Sequence, residues 1–110
     1  MKPVLVKMCG YVLKLEEDKF YVGITYNLNL RYAQHKAGDG ALWTKAYKPI
    51  SIFAVEMDVE KDWENKMTLD MMQKHGIDNV RGGSWCRETI NKDRIKKLID
   101  INEDAEDLWL

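Results

Sequence analysis

The sequence predicts an α+β domain in which a small three-stranded antiparallel sheet is flanked by helices, in the order β-β-α-β-α-α. Two neighbouring β-prone runs lie near the N-terminus, a third lies at mid-chain, and apolar residues then recur with helical spacing. The chain has 110 residues, of which 45% are hydrophobic and 32% are charged. This composition is typical of one small globular domain without a second core.

The first two strands are predicted to form a hairpin. Residues 8–15 and 19–24 are rich in β-prone side chains, and the acidic segment between them reads as a turn. Because side chains alternate between the two faces of a sheet, Tyr11 and Tyr21 share a face only if the hairpin loop has an odd number of residues. We therefore expect a three-residue loop, or a bulge that restores this parity.

The next elements follow from capping and breaking residues. Asn27 is suited to cap a helix that extends to about Lys36, and the glycines of residues 38–40 indicate a loop. A break at Lys48-Pro49 then precedes the third strand, which is predicted over residues 50–57.

The second half of the chain is predicted to be mainly helical. A long helix begins at Asp58 or Glu60 and ends at Gly76, with a buried stripe at every fourth residue: Trp63, Met67 and Met71. Gly82-Gly83 excludes regular helix over residues 77–85.

A last helix is predicted to begin after Asn91 and to bury Ile95, Leu98 and Ile99. These elements define one domain over residues 1–99 and an acidic tail over residues 100–110 that ends in Leu-Trp-Leu.

The charge is distributed unevenly along the chain. The net charge is −1, but the tail carries five acidic residues, which leaves 17 basic and 13 acidic residues in the domain. Basic residues concentrate in two stretches, 31–48 and 79–97. Two basic patches suit a partner that carries phosphates, although a solvated surface with an acidic tail explains the same charges.

Several classes of protein are disfavoured. Cys9 and Cys86 cannot form a disulfide framework, and their spacing from His35 and His75 offers no short chelate for structural zinc. The longest apolar run, residues 52–55, is far too short to span a bilayer, and the N-terminal residues lack the pattern of a secretory signal. We therefore expect an intracellular protein with reduced thiols.

Six polar residues could converge from separate elements to form a catalytic site. Arg31 and His35 are four residues apart on one helix and share a face. The other four are Tyr11 and Tyr21 of the hairpin, Glu64 of the long helix and Asn79 beyond it. Together they could support metal-assisted phosphodiester hydrolysis, because a carboxylate binds a hard cation, an arginine neutralises phosphoryl charge, and a tyrosine or histidine accepts a proton. Spacing alone leaves a purely structural role open for each residue.

An ordered series of motifs resembles the GIY-YIG nuclease superfamily. Cys9-Gly10-Tyr11 and Tyr21-Val22-Gly23 resemble the two half-motifs that give the superfamily its name. The resemblance extends over residues 8–85, with matching elements in chain order: Thr25-x-Asn27, Arg31-x-x-x-His35, Gly40-Ala41, Trp43-Thr44, Lys48-Pro49, Glu64 and Asn79.

The resemblance implies a stand-alone endonuclease that cleaves DNA with one Mg²⁺ or Mn²⁺ ion and leaves a 5′-phosphate and a 3′-hydroxyl, with RNA left open as a substrate. Glu64 would hold the metal and Arg31 the scissile phosphate. Tyr11 or Tyr21, helped by His35, would deprotonate water, and Asn79 would position the substrate or the site. The expected phosphate contacts of the surrounding surface are Lys36, Lys45, Lys48, Arg81 and Arg87. A homodimer or a partner protein would supply specificity.

The sequence departs from the family pattern at two positions, and other interpretations of its function remain open. Gly10 stands where the first half-motif has isoleucine, and Ile24 stands where some members have lysine. The main alternative is a module of the same fold that has lost catalysis and binds nucleic acid or a protein. A third reading is an interaction protein whose Leu108-Trp109-Leu110 end docks in a groove.

Overall fold

The computed structural model describes residues 7–87 and 89–108, and for residues 102–108 it describes the backbone alone. Within these ranges the elements follow in this order: β1 (Cys9–Leu15), β2 (Phe20–Thr25), α1 (Leu28–Ala37), α2 (Leu42–Ala46), β3 (Pro49–Met57), α3 (Asp62–His75), β4 (Val80–Gly82) and α4 (Lys92–Leu108). Single 3₁₀ turns lie at Glu16–Asp18 and Ile77–Asn79.

The sheet is mixed and has the strand order β3-β1-β2-β4. β1 pairs antiparallel with β2 and β3, whereas β4 lies parallel to residues Phe20, Tyr21 and Val22 of β2. The α+β class is confirmed, but the prediction of three antiparallel strands is wrong. β4 was not predicted from the sequence because it has only three residues, and so short a segment shows no alternation of apolar and polar side chains.

The hairpin has the predicted parity. Tyr11 pairs with Gly23 and Tyr21 with Leu13, and the register brings Leu15 opposite Lys19, which encloses a loop of three residues, Glu16–Asp18. The N–H of Leu15 donates to the carbonyl of Lys19 at 2.8 Å and closes the loop. Both tyrosines therefore lie on one face of the sheet.

Capping residues set the bounds of α1 as expected. The Oδ1 atom of Asn27 accepts a hydrogen bond from the N–H of Leu30 at 3.1 Å, and Gly38 ends the helix with a left-handed φ of 82°. Glycine reaches this conformation without the steric cost that a β-carbon carries. The short helix α2 lies in a segment for which the sequence predicted no helix, because five residues are too few to establish a periodic pattern.

The last two helices differ from the prediction at one end each. α3 begins at Asp62 rather than at Asp58 or Glu60, because Asp58 has a positive φ of 58° that a helix cannot include. Asn91 caps α4 through a hydrogen bond from the N–H of Arg94 at 3.1 Å. α4 then continues to Leu108, so most of the segment expected to form a separate tail is helical. Residues 109–110, which end the apolar segment of the interaction hypothesis, lie outside the described residues.

Each face of the sheet carries its own apolar cluster. Towards α3 and α4, Val12 and Val22 pack with Met72 and Ile95 in a cluster that also contains Phe20, Leu69, Met71, Val80 and Ile99. Towards α1 and α2, the buried residues are Tyr11, Leu13, Leu15, Tyr21 and Trp43. In the part of the chain that the structure describes, no helix is long and apolar enough to cross a membrane.

We expect Leu13→Ala to lower the free energy of unfolding by about 2–5 kcal/mol, because the side chain is fully buried and its removal leaves a cavity. Leu42→Ala is the matched control, since Leu42 is 70% exposed and its truncation is expected to change stability by less than about 0.5 kcal/mol. Urea unfolding followed by circular dichroism measures both values. Equal effects of the two substitutions would contradict the assignment of this cluster to the core.

Candidate active site

Tyr11 is buried in the centre of the sheet because its strand partner is a glycine. Gly23 lies opposite Tyr11 in the β1–β2 register, and a β-carbon at Gly23 would overlap the Tyr11 hydroxyl. The phenol therefore crosses the neighbouring strand on the face that α1 and α2 cover. Only 1% of the Tyr11 surface is exposed, and its ring centroid lies 6.4 Å from that of Tyr21.

His35 completes this buried group from α1. Its Nε2 atom lies 2.9 Å from the Tyr11 hydroxyl, and its Nδ1 atom lies 2.8 Å from the Oγ1 atom of Thr44 in α2. The imidazole also packs 5.0 Å from the ring centroid of Tyr21. Thr44 in turn donates to the carbonyl of Ala41 at 3.0 Å. A continuous chain of hydrogen bonds therefore runs from Tyr11 through His35 and Thr44 to the backbone.

Burial keeps the members of this chain uncharged. Loss of hydration raises the pKa of Tyr11 to about 12, an increase that the Arg31 guanidinium partly opposes. Burial also raises the pKa of Tyr21. The same loss of hydration, followed by the positive charge of Arg31, lowers the pKa of His35 to about 4. At pH 7, Tyr11 is therefore a neutral phenol and His35 a neutral imidazole that can accept a proton.

Arg31 lies one helical turn before His35, which places both side chains on the same face of α1. The guanidinium donates to the Oε1 atom of Gln34 at 3.1 Å and remains partly exposed. Its charge acts on the pKa of Tyr11, Tyr21 and His35. A cation that influences three buried groups and still reaches solvent is suited to bind an anion beside them.

Glu64 approaches from the first turn of α3. Its Oε2 atom accepts a hydrogen bond from the N–H of Ile24 at 3.1 Å, at a position on β2 beyond the last residue paired with β4. The negative charge of Glu64 raises the pKa of both Tyr11 and Tyr21, which brings its carboxylate into the electrostatic environment of the two phenols. Partial burial raises the pKa of Glu64 itself, and the Ile24 N–H opposes that rise.

The donor chemistry of Glu64 fits a magnesium-type ion. A carboxylate is the oxygen ligand that Mg²⁺ and Mn²⁺ prefer, and Mg²⁺ usually binds through one or two carboxylates while keeping several waters. Among the described residues, no group of three or more His, Cys, Asp and Glu side chains could hold a metal ion. The carboxylate of Glu64 is a donor of the type that such an ion binds, with water and substrate oxygens as its remaining ligands.

Asn79 lies at the other end of β2. Its Oδ1 atom accepts from Lys19 at 2.7 Å and its Nδ2 atom donates to the carbonyl of His75 at 2.7 Å. Lys19 and Ile24 are five residues apart, which corresponds to about 16 Å along a strand. The structure therefore brings together Tyr11, Tyr21, Arg31, His35 and Glu64, and it holds Asn79 in contacts at the hairpin end.

The five expected phosphate contacts fall into two environments. Lys36 follows His35 on α1 and Lys45 follows Thr44 on α2, and both are exposed, as are Lys48 and Arg87.

Arg81, in contrast, is 3% exposed and does not agree with the expected phosphate contact. Its guanidinium lies 4.5 Å from the ring centroid of Trp43 and donates to the carbonyls of Ile77, Val80 and Arg87. Arg81 therefore stabilises the segment around β4, and its guanidinium is buried against Trp43 and the backbone.

Packing explains one departure from the family pattern. The indole ring of Trp63 lies against Gly10, where a β-carbon would come within 2.6 Å of the ring. Gly10 therefore stands in place of isoleucine because α3 supplies the apolar group from the other direction.

No functional role was predicted for Thr44, Gly23 or Gly40, although all three belong to the quoted motifs. A β-carbon at Gly40 would overlap the Nδ1 atom of His35, so this glycine allows the loop after α1 to close over the imidazole. Thr44 belongs to the Trp43-Thr44 motif. Because a residue next to a buried tryptophan also lies near the core, its hydroxyl group could have indicated a buried hydrogen bond.

Comparisons with known proteins identify the family of the chain. The family model of the GIY-YIG catalytic domain matches residues 7–74. The chain is 26% identical to the UPF0213 protein YsiG of Lactococcus lactis over 94 residues, which cover 84% of this chain and 88% of that protein. It is 38% identical over 53 residues to a UPF0213 protein of Staphylococcus haemolyticus, and 37% identical over 51 residues to one of Neisseria meningitidis.

These two shorter matches cover 48% and 46% of this chain and span 65% and 56% of the respective relatives. No solved structure matches the chain. The family match covers most of the sequence and includes Tyr11, Tyr21, Arg31, His35 and Glu64. The chain therefore belongs to the GIY-YIG family, a family of nuclease catalytic domains.

Proposed function

We propose that the protein is a metal-dependent endonuclease that hydrolyses DNA phosphodiester bonds and leaves a 5′-phosphate and a 3′-hydroxyl. The observation that carries the proposal is the 2.9 Å hydrogen bond between the Tyr11 hydroxyl and the Nε2 atom of His35, beside the Arg31 guanidinium. A phenol linked to a neutral imidazole and next to a cation has the parts required to activate water against a bound phosphate.

The proton transfer starts at Tyr11. A water molecule beside the phenol gives a proton to the Tyr11 oxygen while the Tyr11 proton moves to the Nε2 atom of His35. The hydroxide attacks phosphorus in line with the 3′ oxygen, the P–O3′ bond breaks, and the 3′ oxygen takes up a proton from solvent. The lowered pKa of His35 disfavours a long-lived imidazolium, so the Nε2 proton passes back to the Tyr11 oxygen while the Tyr11 proton leaves to solvent, which resets the pair after each turnover.

Arg31 and Glu64 have complementary tasks around the phosphate. Arg31 binds the non-bridging oxygens, whose negative charge increases as hydroxide adds to phosphorus. Glu64 would hold Mg²⁺ or Mn²⁺, and the ion would supply positive charge that stabilises the scissile phosphate and the departing oxygen. The hydrogen bond from the Ile24 N–H fixes the direction of the carboxylate.

The surface around α1 and α2 favours a polyanion. Lys36 and Lys45 directly follow His35 and Thr44 in sequence, so each helix that places a buried residue of the site also presents an exposed lysine. Lys48 and Arg87 add two more exposed cations. These four residues are proposed to contact the phosphates on either side of the cleavage position.

The burial of the site supports a second candidate function. Tyr11 is 1% exposed and His35 is fully buried, which also suits a polar pair that only stabilises the core. In that case the protein is a nucleic-acid-binding or protein-binding module on a nuclease fold. The two functions differ in one result, which is metal-dependent cleavage by the wild-type protein.

We expect the purified protein to nick supercoiled plasmid or branched DNA with Mg²⁺ or Mn²⁺, and EDTA to abolish the activity. Glu64→Gln should reduce the rate by at least about 100-fold, because the amide lacks the charge that holds the cation. Glu60→Gln is the matched control, since Glu60 is an exposed residue just before α3. Gel assays of cleavage and circular dichroism of each variant make the comparison.

Three results would contradict the proposal, and the first of them separates the two candidate functions. DNA binding without cleavage by the wild-type protein, with either metal and on several DNA structures, establishes the binding module. Cleavage by Glu64→Gln at the wild-type rate removes Glu64 from the metal site. A 5′-hydroxyl at the cut end overturns the proposed direction of P–O cleavage.

The pH dependence of His35 provides a test that requires no substrate. Burial and Arg31 lower the pKa of His35 from 6.5 to about 4, so the unfolded chain binds the extra proton first as the pH falls. His35 therefore contributes stability that is complete above about pH 6.5 and is lost as the pH approaches 4. An NMR titration should show the His35 ring signal unchanged between pH 7.5 and 5.5.

His35→Asn and His75→Asn identify the two histidine signals in the NMR spectrum. In urea unfolding between pH 6.5 and 4, His35→Asn should show a smaller loss of stability with falling pH than the wild type. A His35 signal that titrates near pH 6.5 would contradict the neutral imidazole on which the proton transfer depends.

A further inference from the structure

Thr44 forms two hydrogen bonds with a hydroxyl group that has a single proton. The residue is 1% exposed and lies in the middle of α2. Its Oγ1 atom lies 3.0 Å from the carbonyl oxygen of Ala41 and 2.8 Å from the Nδ1 atom of His35. A carbonyl oxygen can only accept, so the Thr44 proton points to Ala41 and the hydroxyl lone pair faces His35.

This direction determines the proton on His35. An oxygen lone pair at 2.8 Å requires a donor, so the Nδ1 atom of His35 carries the hydrogen. A neutral imidazole has one N–H group, which leaves the Nε2 atom as an acceptor. The Tyr11 hydroxyl, 2.9 Å from Nε2, must therefore donate. Each of these hydrogen bonds is therefore donated in the same direction, from Tyr11 to His35, from His35 to Thr44 and from Thr44 to the carbonyl of Ala41.

We infer that Thr44 is a positioning residue that holds His35 in the Nδ1–H tautomer and so keeps Nε2 free to receive the Tyr11 proton. Without the Thr44 lone pair, the Nδ1 hydrogen loses its partner, and the Nε2–H tautomer, which donates to the Tyr11 oxygen, becomes competitive. That tautomer cannot take a proton from Tyr11. The ring also has little room to adjust, since Gly40 packs against Nδ1 so closely that a β-carbon there would overlap it.

If these hydrogen bonds were donated in the opposite direction, fewer of the observed contacts would be satisfied. If Thr44 donated to Nδ1, the carbonyl of Ala41 would keep the N–H of Lys45 as a donor at 3.1 Å, but the proton of Tyr11, a residue that is 1% exposed, would need a new acceptor. A buried donor without an acceptor costs about 1–3 kcal/mol. The observed contacts therefore favour the direction from Tyr11 to Ala41.

The tautomer is independent of any reaction, whereas its effect on cleavage rests on the proposed function. The test uses Thr44→Val, which removes the hydroxyl and keeps the branched shape, and Thr44→Ser, which restores the hydroxyl. Thr68→Val is the control for the spectroscopic measurement, because Thr68 is also buried and bonded to a carbonyl, that of Glu64, through its hydroxyl at 2.6 Å.

Long-range ¹H–¹⁵N NMR spectra of the full chain at pH 7 report which ring nitrogen carries the proton. We expect Nδ1–H in the wild type, in Thr44→Ser and in Thr68→Val, and a shift towards Nε2–H in Thr44→Val. With DNA as substrate, Thr44→Val should lower kcat by about 10- to 100-fold with KM unchanged within about twofold, because proton transfer and not binding is affected. Thr44→Ser should restore kcat to within about threefold of wild type.

The outcomes separate the inference from the proposed function. Nε2–H in the wild type, or Nδ1–H retained in Thr44→Val, overturns the role of Thr44. The wild-type spectrum decides the question even if Thr44→Val does not fold. A tautomer shift in Thr44→Val together with a wild-type protein that never cleaves DNA supports the positioning of His35 and refutes the nuclease.

Discussion

The close approach of the Tyr11 side chain to the backbone of β2 is the constraint on which the site depends. A tyrosine can cross a neighbouring strand only where that strand carries no side chain, and Gly23 provides this gap directly opposite Tyr11. The three-residue hairpin loop sets the register that aligns the two residues. One additional loop residue would turn one of the tyrosines to the opposite face, because side-chain direction alternates along a strand.

Burial gives this group chemical properties that the same residues lack on a surface. The pKa of Tyr11 rises to about 12 and that of His35 falls to about 4, so both groups stay neutral and are connected by a short hydrogen bond. Transfer of the Tyr11 proton to His35 creates an imidazolium and would also leave a phenolate, and both pKa shifts disfavour these charged forms, so the Tyr11 oxygen must take up a proton from water in the same step. Arg31 opposes the rise at Tyr11 and reinforces the fall at His35, because its positive charge favours phenolate and disfavours imidazolium.

The features of the fold that depend on residues close together in the sequence could be predicted from the sequence. The hairpin parity, the Asn27 cap of α1 and the Asn91 cap of α4 follow from turn length and capping side chains. The predicted stripe of α3 was right in part, since Met71 is buried whereas Trp63 and Met67 are only partly buried against the same cluster. The convergence of Tyr11, Tyr21, Arg31, His35 and Glu64 was accessible through the motif order.

The unpredicted features depend on contacts between distant segments. β4 has three residues and pairs with a strand about 60 residues earlier, as the partners Tyr21 and Arg81 illustrate. The burial of Arg81 depends on Trp43 and on three backbone carbonyls, none of which its own neighbours in sequence reveal as a set. A charged residue in a basic stretch is expected on the surface unless such partners are known. The position of Asn79 at the hairpin end could not be predicted from its spacing to Glu64, because it also depends on contacts between distant segments.

Because β4 is short, a group on one face of the sheet can act on groups of the other face. Tyr11 and His35 lie on the face that α1 and α2 cover, whereas α3, which carries Glu64, packs against the opposite face. β4 pairs with β2 only as far as Val22, so the next part of the β2 edge is left to other partners, and the Ile24 N–H there donates to Glu64. A longer β4 would pair with this edge and displace the carboxylate. Glu64 can therefore influence the phenols of the other face because the strand that would separate them ends early.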